Sequence, residues 1–181
     1  MNKSSIRKKI LQLRKKKYSK NLSISLTTLL KIIKKKDFKS KIIGGYYPFN
    51  YELNILNILE KLEKKNYIIS LPKIAKNNTM DFFQWSFKDP LKINKLGIPE
   101  VISNKKIFPN ILLIPLVGFD SQLNRLGYGG GYYDRYLSKI QGRQELIKIG
   151  VGFSFQKIKS IPTEKFDKKL DLILTERKII K

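Results

Sequence analysis

Apolar positions in this chain recur first at helical spacing and then at strand spacing, and the two patterns alternate to the end. Ile6, Ile10 and Leu13 fall at three- and four-residue intervals and predict a basic helix over 3–17. Leu22, Leu26, Leu29, Leu30 and Ile33 predict a second helix over 21–36. A short strand is expected over 42–47, stopped by Pro48, then a helix over 53–64 carried by Leu53, Leu56, Leu59 and Leu62. The run 67–71 reads as a strand closed by Pro72, and the aromatic stretch 81–87 as a further strand. Residues 88–110 hold Pro90, Pro99 and Pro109 and little periodicity, which predicts a long irregular connection of the kind that usually serves function. The continuous apolar run 111–117 has the pattern of a buried parallel strand. A glycine-rich turn follows, then a helix over 132–140, strands over 149–153 and 170–174, and a polar tail over 175–181. Strands alternating with helices imply an α/β fold, one domain over 1–181, with a largely parallel sheet covered by helices on both faces.

The 181 residues include no cysteine and no histidine. Thiolate nucleophiles, disulfides, His-dependent triads and sulfur- or His-ligated metals are therefore excluded. Chemistry must run on carboxylates, Lys, Arg, hydroxyls, backbone amides or a cation held by oxygen. The net charge of +24 invites a nucleic-acid reading. Yet there are 32 Lys to 6 Arg and 26 Ile to 3 Val, a general compositional drift, whereas a phosphate-reading surface favours the planar fork of Arg. Nucleic acid is thus not the expected partner, although residues 1–41 carry 15 basic residues against one acid. No apolar run approaches the ~18–20 residues that span a bilayer, and the N-terminus is too basic for a signal segment, so a cytoplasmic protein without membrane contact is expected.

The most informative stretch is Arg125-Leu-Gly-Tyr-Gly-Gly-Gly-Tyr-Tyr-Asp134. Glycines let a backbone take positive φ and approach a ligand closely. The uncapped amides and dipole of the following helix suit phosphate. The spacing is neither a dinucleotide fingerprint nor a P-loop, and a plain flexible turn fits the glycines equally well. Arg125 and Asp134 add chemistry at its two ends. Two roles fit Asp134: a carboxylate favoured by the helix dipole, or a ligand to a Mg²⁺ placed between it and phosphates. Asp171 is a second metal candidate, and a strand-end residue capping a turn is its alternative. Lys3, Arg7, Ile10 and Arg14 fall within about 60° on one helical face. Lys3 and Arg7 therefore point at one anion together, or else belong to a solvated basic face.

The run from Phe119 to Leu137 strongly resembles the 5-formyltetrahydrofolate cyclo-ligase family, also called 5,10-methenyltetrahydrofolate synthetases. Supporting pieces occur in order over nearly the whole chain: Lys3-x-x-Ile6-Arg7, Tyr47-x-Phe49-x-x-Glu52, Leu71-Pro72-Lys73, Gly97-Ile-Pro-Glu100 and Lys-Leu-Asp171. The resemblance implies a three-layer α/β fold in which ATP and Mg²⁺ drive conversion of 5-formyltetrahydrofolate to 5,10-methenyltetrahydrofolate. It implies ATP binding by Lys3, Arg7 and the segment Arg125, Leu126, Gly127, Tyr128, Gly129, Gly130, Gly131, Tyr132 and Tyr133. It implies folate contacts at Tyr47, Glu52 and Tyr132, and metal binding by Asp134 and Asp171. Arg125 and Asp134 are the expected catalytic residues, and a monomer is expected. Tyr47, Phe49, Trp85 and Tyr132 are the flat side chains available to a pteridine, each equally a core candidate. Three positions depart from the family. Lys73 stands where Arg is common and Val101 where Pro is usual. Leu123 stands where Gly is frequent, and a positive φ there would strain a branched residue by ~1–2 kcal/mol.

Overall fold

The computed structural model describes residues 2–36, 38, 41–75, 79–142 and 145–181. Its first helix, α1 (Lys3–Lys17), starts where the Asn2 side chain accepts the Ser5 N–H at 2.9 Å. Helix α2 (Leu26–Lys34) is shorter than its apolar stripe suggests, because Ser25 caps it by accepting the Thr28 N–H and so sets its start. Helix α3 (Leu56–Glu63) begins three residues later than expected and leaves Leu53 outside it, and helix α4 (Tyr132–Ile140) spans the expected residues.

The strands are β1 (Ile42–Gly44), β2 (Ile68–Ile74), β3 (Met80–Gln84), β4 (Leu91–Ile93), β5 (Pro99–Val101), β6 (Lys106–Ile107), β7 (Ile111–Pro115), β8 (Gly118–Phe119), β9 (Arg125–Leu126), β10 (Ile147–Val151), β11 (Leu172–Leu174) and β12 (Ile179–Ile180). Among the described residues, eight of them form a sheet in the order β12-β11-β10-β7-β1-β2-β3-β6. The five strands from β11 to β2 pair in parallel, and β12, β3 and β6 join antiparallel at the flanks.

Alternation along β7 divides the core. Ile111 and Leu113 face a cluster with Leu29 and Ile33 of α2 and Leu59 and Leu62 of α3. Leu112 and Ile114 face the other way, against Tyr136, Leu137 and Ile140 of α4. The result is the three-layer α/β architecture. A third, smaller cluster of Ile6, Ile10, Val117, Leu126 and Ile161 seats α1 beyond the carboxyl end of β7. Among the described residues no helix is long and apolar enough to cross a membrane.

Three expectations are corrected. The connection 88–110 is not irregular: β4 and β5 form a hairpin, and β6 joins the sheet edge. Its turn is held by Asn94, whose side chain accepts the N–H groups of Leu96 and Ile98, with Gly97 at φ +75°. Strands of two or three residues are too short to show alternation. The tail 175–181 is not merely polar, since Ile179 and Ile180 pair with Leu174 and Ile173. Nor does Pro72 end its strand. The Ser70 carbonyl accepts the Gly45 N–H, so Pro72 turns its missing donor to the same side, past the end of β1.

Candidate active site

Parallel pairing puts the carboxyl ends of β1, β2 and β7 on one edge, and there a cavity of about 1080 Å³ opens. Its wall includes Tyr47 and Glu52 after β1, Leu71 and Pro72 in β2, Pro115 at the end of β7, and every residue from Arg125 to Asp134. Lys3 and Arg7 reach it from α1. All of the expected site residues except Asp171 therefore line one space.

The turn before the glycines is organised by Asp120, which is 1% exposed. Its carboxylate accepts the N–H groups of Gln122, Asn124 and Ile161 and the Asn124 side-chain amide. Burial pushes this carboxyl up, but those donors prevail and hold it below the usual range. Leu123 adopts φ +63°, the left-handed conformation that the sequence put in question, and its carbonyl accepts the Leu170 N–H. Gly129 at φ +103° and Gly131 at φ +65° use conformations that side chains resist. Gly131 opens α4 without a side-chain cap, which leaves the first-turn amides to a ligand.

Arg7 locks this loop to α1. Its Nε donates to the Gly127 carbonyl at 2.8 Å, and a Cβ at 129 would meet its guanidinium at 3.4 Å. Lys3 is held by Glu164 at 2.9 Å and Asp167 at 2.7 Å. Burial lowers the ammonium's pKa, but the two carboxylates outweigh it and raise it above the ordinary lysine value. At the far side of the glycines, Arg125 Nη2 lies 2.6 Å from Asp134 Oδ1, and the same oxygen accepts the Lys168 N–H at 3.1 Å. Among the described residues Arg125 Nε and the Tyr133 hydroxyl are buried without hydrogen-bond partners, so the wall holds donors suited to a ligand's oxygens.

Opposite the loop lies Glu52, 5% exposed, whose Oε2 accepts the Phe49 N–H at 2.9 Å. Burial raises its pKa to about 7, opposed by that N–H, by the Arg14 charge and by a hydrogen bond from Tyr128. Burial likewise raises the pKa of the Tyr46, Tyr128 and Tyr133 hydroxyls. Tyr47, Phe49 and Tyr132 face the cavity, whereas Trp85 is 6% exposed, packs on Phe87 and donates to the Asp89 carbonyl.

The expected pairing of Asp134 with Asp171 is not formed. Asp171 precedes β11, at the opposite end of the parallel strands, where it accepts the Lys148 N–H and pairs with the Lys148 ammonium. Among the described residues no group of three or more potential metal-binding side chains occurs. Sequence reasoning also missed Arg14, Glu100 and the acids that hold Lys3. Arg14 was signalled by its place on the Lys3–Arg7 helical face. Glu100, buried and accepting the Ile74 N–H, showed in the sequence only as the end of Gly97-Ile-Pro-Glu100, with no role attached, because periodicity does not show the hairpin that delivers it.

Known proteins resemble this chain in both sequence and fold. The model of the 5-formyltetrahydrofolate cyclo-ligase family matches residues 1–176. A 5-formyltetrahydrofolate cyclo-ligase of Haemophilus influenzae is 32% identical over 136 residues, covering 71% of this chain and 72% of that protein. The solved structure of an Aquifex aeolicus 5,10-methenyltetrahydrofolate synthetase is similar with a TM-score of 0.76 at 28% identity, covering 99% of this chain and 92% of that one. A Mycoplasma pneumoniae 5,10-methenyltetrahydrofolate synthetase gives 0.72 at 28% identity, covering 98% and 100%. The chain belongs to the 5-formyltetrahydrofolate cyclo-ligase family.

Proposed function

We propose that this protein converts 5-formyltetrahydrofolate to 5,10-methenyltetrahydrofolate at the expense of ATP, with Mg²⁺, releasing ADP and phosphate. The observation that carries the reading is that one cavity gathers the glycine segment, the α1 cations, and Tyr47 with Glu52. Its volume of about 1080 Å³ lies just above the roughly 300–1,000 Å³ range of small-molecule sites, in keeping with two substrates side by side.

In this reading the formyl oxygen attacks the terminal phosphorus of ATP and ADP leaves, giving an imidate phosphate. The neighbouring ring-forming nitrogen then adds to the formyl carbon and loses its proton, and phosphate departs with the formyl oxygen. Such transfer requires positioning and charge neutralisation rather than a covalent residue, which suits a site without Cys or His. Arg7, Arg125 and the amides of Gly127–Gly131 hold the phosphates, with Lys3 alongside. Tyr132 sits between the two substrates, and Tyr47 and Glu52 orient the folate.

For Mg²⁺, Asp134 fits: it lies on the cavity wall beside the glycines, and the ion commonly takes one or two carboxylates plus phosphate oxygens. Asp171 does not share that space, so the metal role rests on Asp134. When bound there, the ion would neutralise charge developing on the transferred phosphoryl group.

The test is absorbance monitoring of methenyl-folate formation by purified protein, with and without ATP and Mg²⁺. Formation that needs both supports the reading. A phosphorylated folate without cyclisation would point to a kinase on the same loop, and no product at all would sink it.

A further inference from the structure

Arg14 is 1% exposed, and its guanidinium joins three segments. Nη1 donates to the Leu116 carbonyl just past β7 at 3.1 Å. Nη2 donates to the Asn50 carbonyl at 2.7 Å and to the Tyr128 hydroxyl. Asn50 begins the turn into Glu52, and Tyr128 is in the glycine loop. The turn needs a tie: Asn50 and Tyr51 sit at φ +47° and +60°, conformations that side-chain-bearing residues avoid. Tyr128 and the Arg14 charge both act on the Glu52 carboxylate, opposing the effect of its burial. Phe49 and Tyr128 add ring contact across the same gap, at 6.3 Å between centroids.

We propose that Arg14 is a positioning residue that fastens the glycine loop and the Glu52 turn into one unit, so that the two halves of the cavity are shaped together. The inference rests on the reading above, in which one half takes nucleotide and the other folate. Loop and turn are remote in sequence, and a fully buried cation whose donors are divided between them couples any shift of one to the other.

The titratable and charged groups facing Glu52 are Arg14 from α1, Tyr128 from the loop, Tyr46 after β1 and Tyr133 from α4. Arg14 is the cation that favours the Glu52 carboxylate, so removing its charge raises the Glu52 pKa further above its already elevated value of about 7.

Three variants test this: Arg14→Lys, Arg14→Met and Tyr128→Phe. Hydrogen exchange of the ligand-free full chain is followed at amides 49–53 and 127–131. Each variant should speed exchange in both segments by about tenfold or more. Tyr128→Phe removes one hydroxyl from the loop and should still loosen the turn. In turnover assays, Arg14→Met should move the pH dependence of kcat/KM for the folate upward by about one unit or more. Arg14→Lys should restore its position, while KM for both substrates rises above the wild-type values. Faster exchange confined to one segment, or an unmoved pH profile with only a lowered Tm, would reduce Arg14 to a packing residue. If Arg14→Met does not fold, Tyr128→Phe carries both readouts. If the wild-type protein forms no methenyl folate, the functional reading falls, and the exchange data still decide whether Arg14 couples the segments.

Discussion

Arg125 and Asp134 stand at the two ends of the glycine segment, yet their side chains meet at 2.6 Å, with Arg125 only 7% exposed and Asp134 23% exposed. The contact draws the segment into a closed loop and places a cation and an anion at its neck. A cation held by Asp134 would share that carboxylate with the Arg125 guanidinium.

Asp134→Asn keeps an oxygen able to accept from Arg125 and Lys168 but removes the charge. We expect Mg²⁺-dependent turnover to fall by about a hundredfold or more while the protein stays folded. Steady-state rates over a magnesium titration, with thermal melts alongside, measure this. Wild-type rates would return Asp134 to a structural role.

Arg7→Ala removes the cation that reaches the loop through the Gly127 carbonyl. Affinity for ATP should drop by about tenfold or more, with a smaller effect on folate. Calorimetric titration of each ligand separately distinguishes the two. Unchanged ATP affinity would place Arg7 outside the nucleotide site.

Gly130→Val puts a branched side chain where a Cβ alone would come within 2.6 Å of the Tyr132 ring. The ring must move, and since Tyr132 lies between the two proposed half-sites, both ligands should weaken by about tenfold or more. Normal binding of ATP by this variant would show that the phosphates do not approach the loop here.

Glu52 makes the stability of the ligand-free protein depend on pH. Its folded-state pKa of about 7 lies above the ordinary 4.5, so the folded chain binds the proton more tightly than the unfolded chain. The stability it contributes when protonated is fully present below 4.5 and is lost as pH rises through 7. Glu52→Gln should flatten that dependence and stabilise the protein on the alkaline side by on the order of 3 kcal/mol at most. Denaturant melts at a series of pH values check it. An unchanged slope would mean that Glu52 titrates normally.

Periodicity and composition along the chain were enough to show the elements that repeat and the chemistry that is local. Apolar stripes marked the first three helices, the run at 111–117 marked the central strand, and the absence of Cys and His confined the reaction to charge, amide and cation. The segment Arg125–Asp134 was legible because its glycines and flanking charges are contiguous, and Leu123 was legible as a residue out of place. Tertiary structure decided what depends on partners remote in sequence. It separated Trp85, a core residue, from Tyr47, Phe49 and Tyr132 on the cavity wall. Parallel strands place residues before and after them at opposite ends of the sheet, and that order sent Asp171 to Lys148 and kept Asp134 at the cavity. Arg14 shares the helical face of Lys3 and Arg7 in the sequence, but nothing there marks it as buried. It became a buried link only when β7, the Asn50 turn and Tyr128 converged on it, because a charge can leave water only where the folded chain supplies its hydrogen-bond partners.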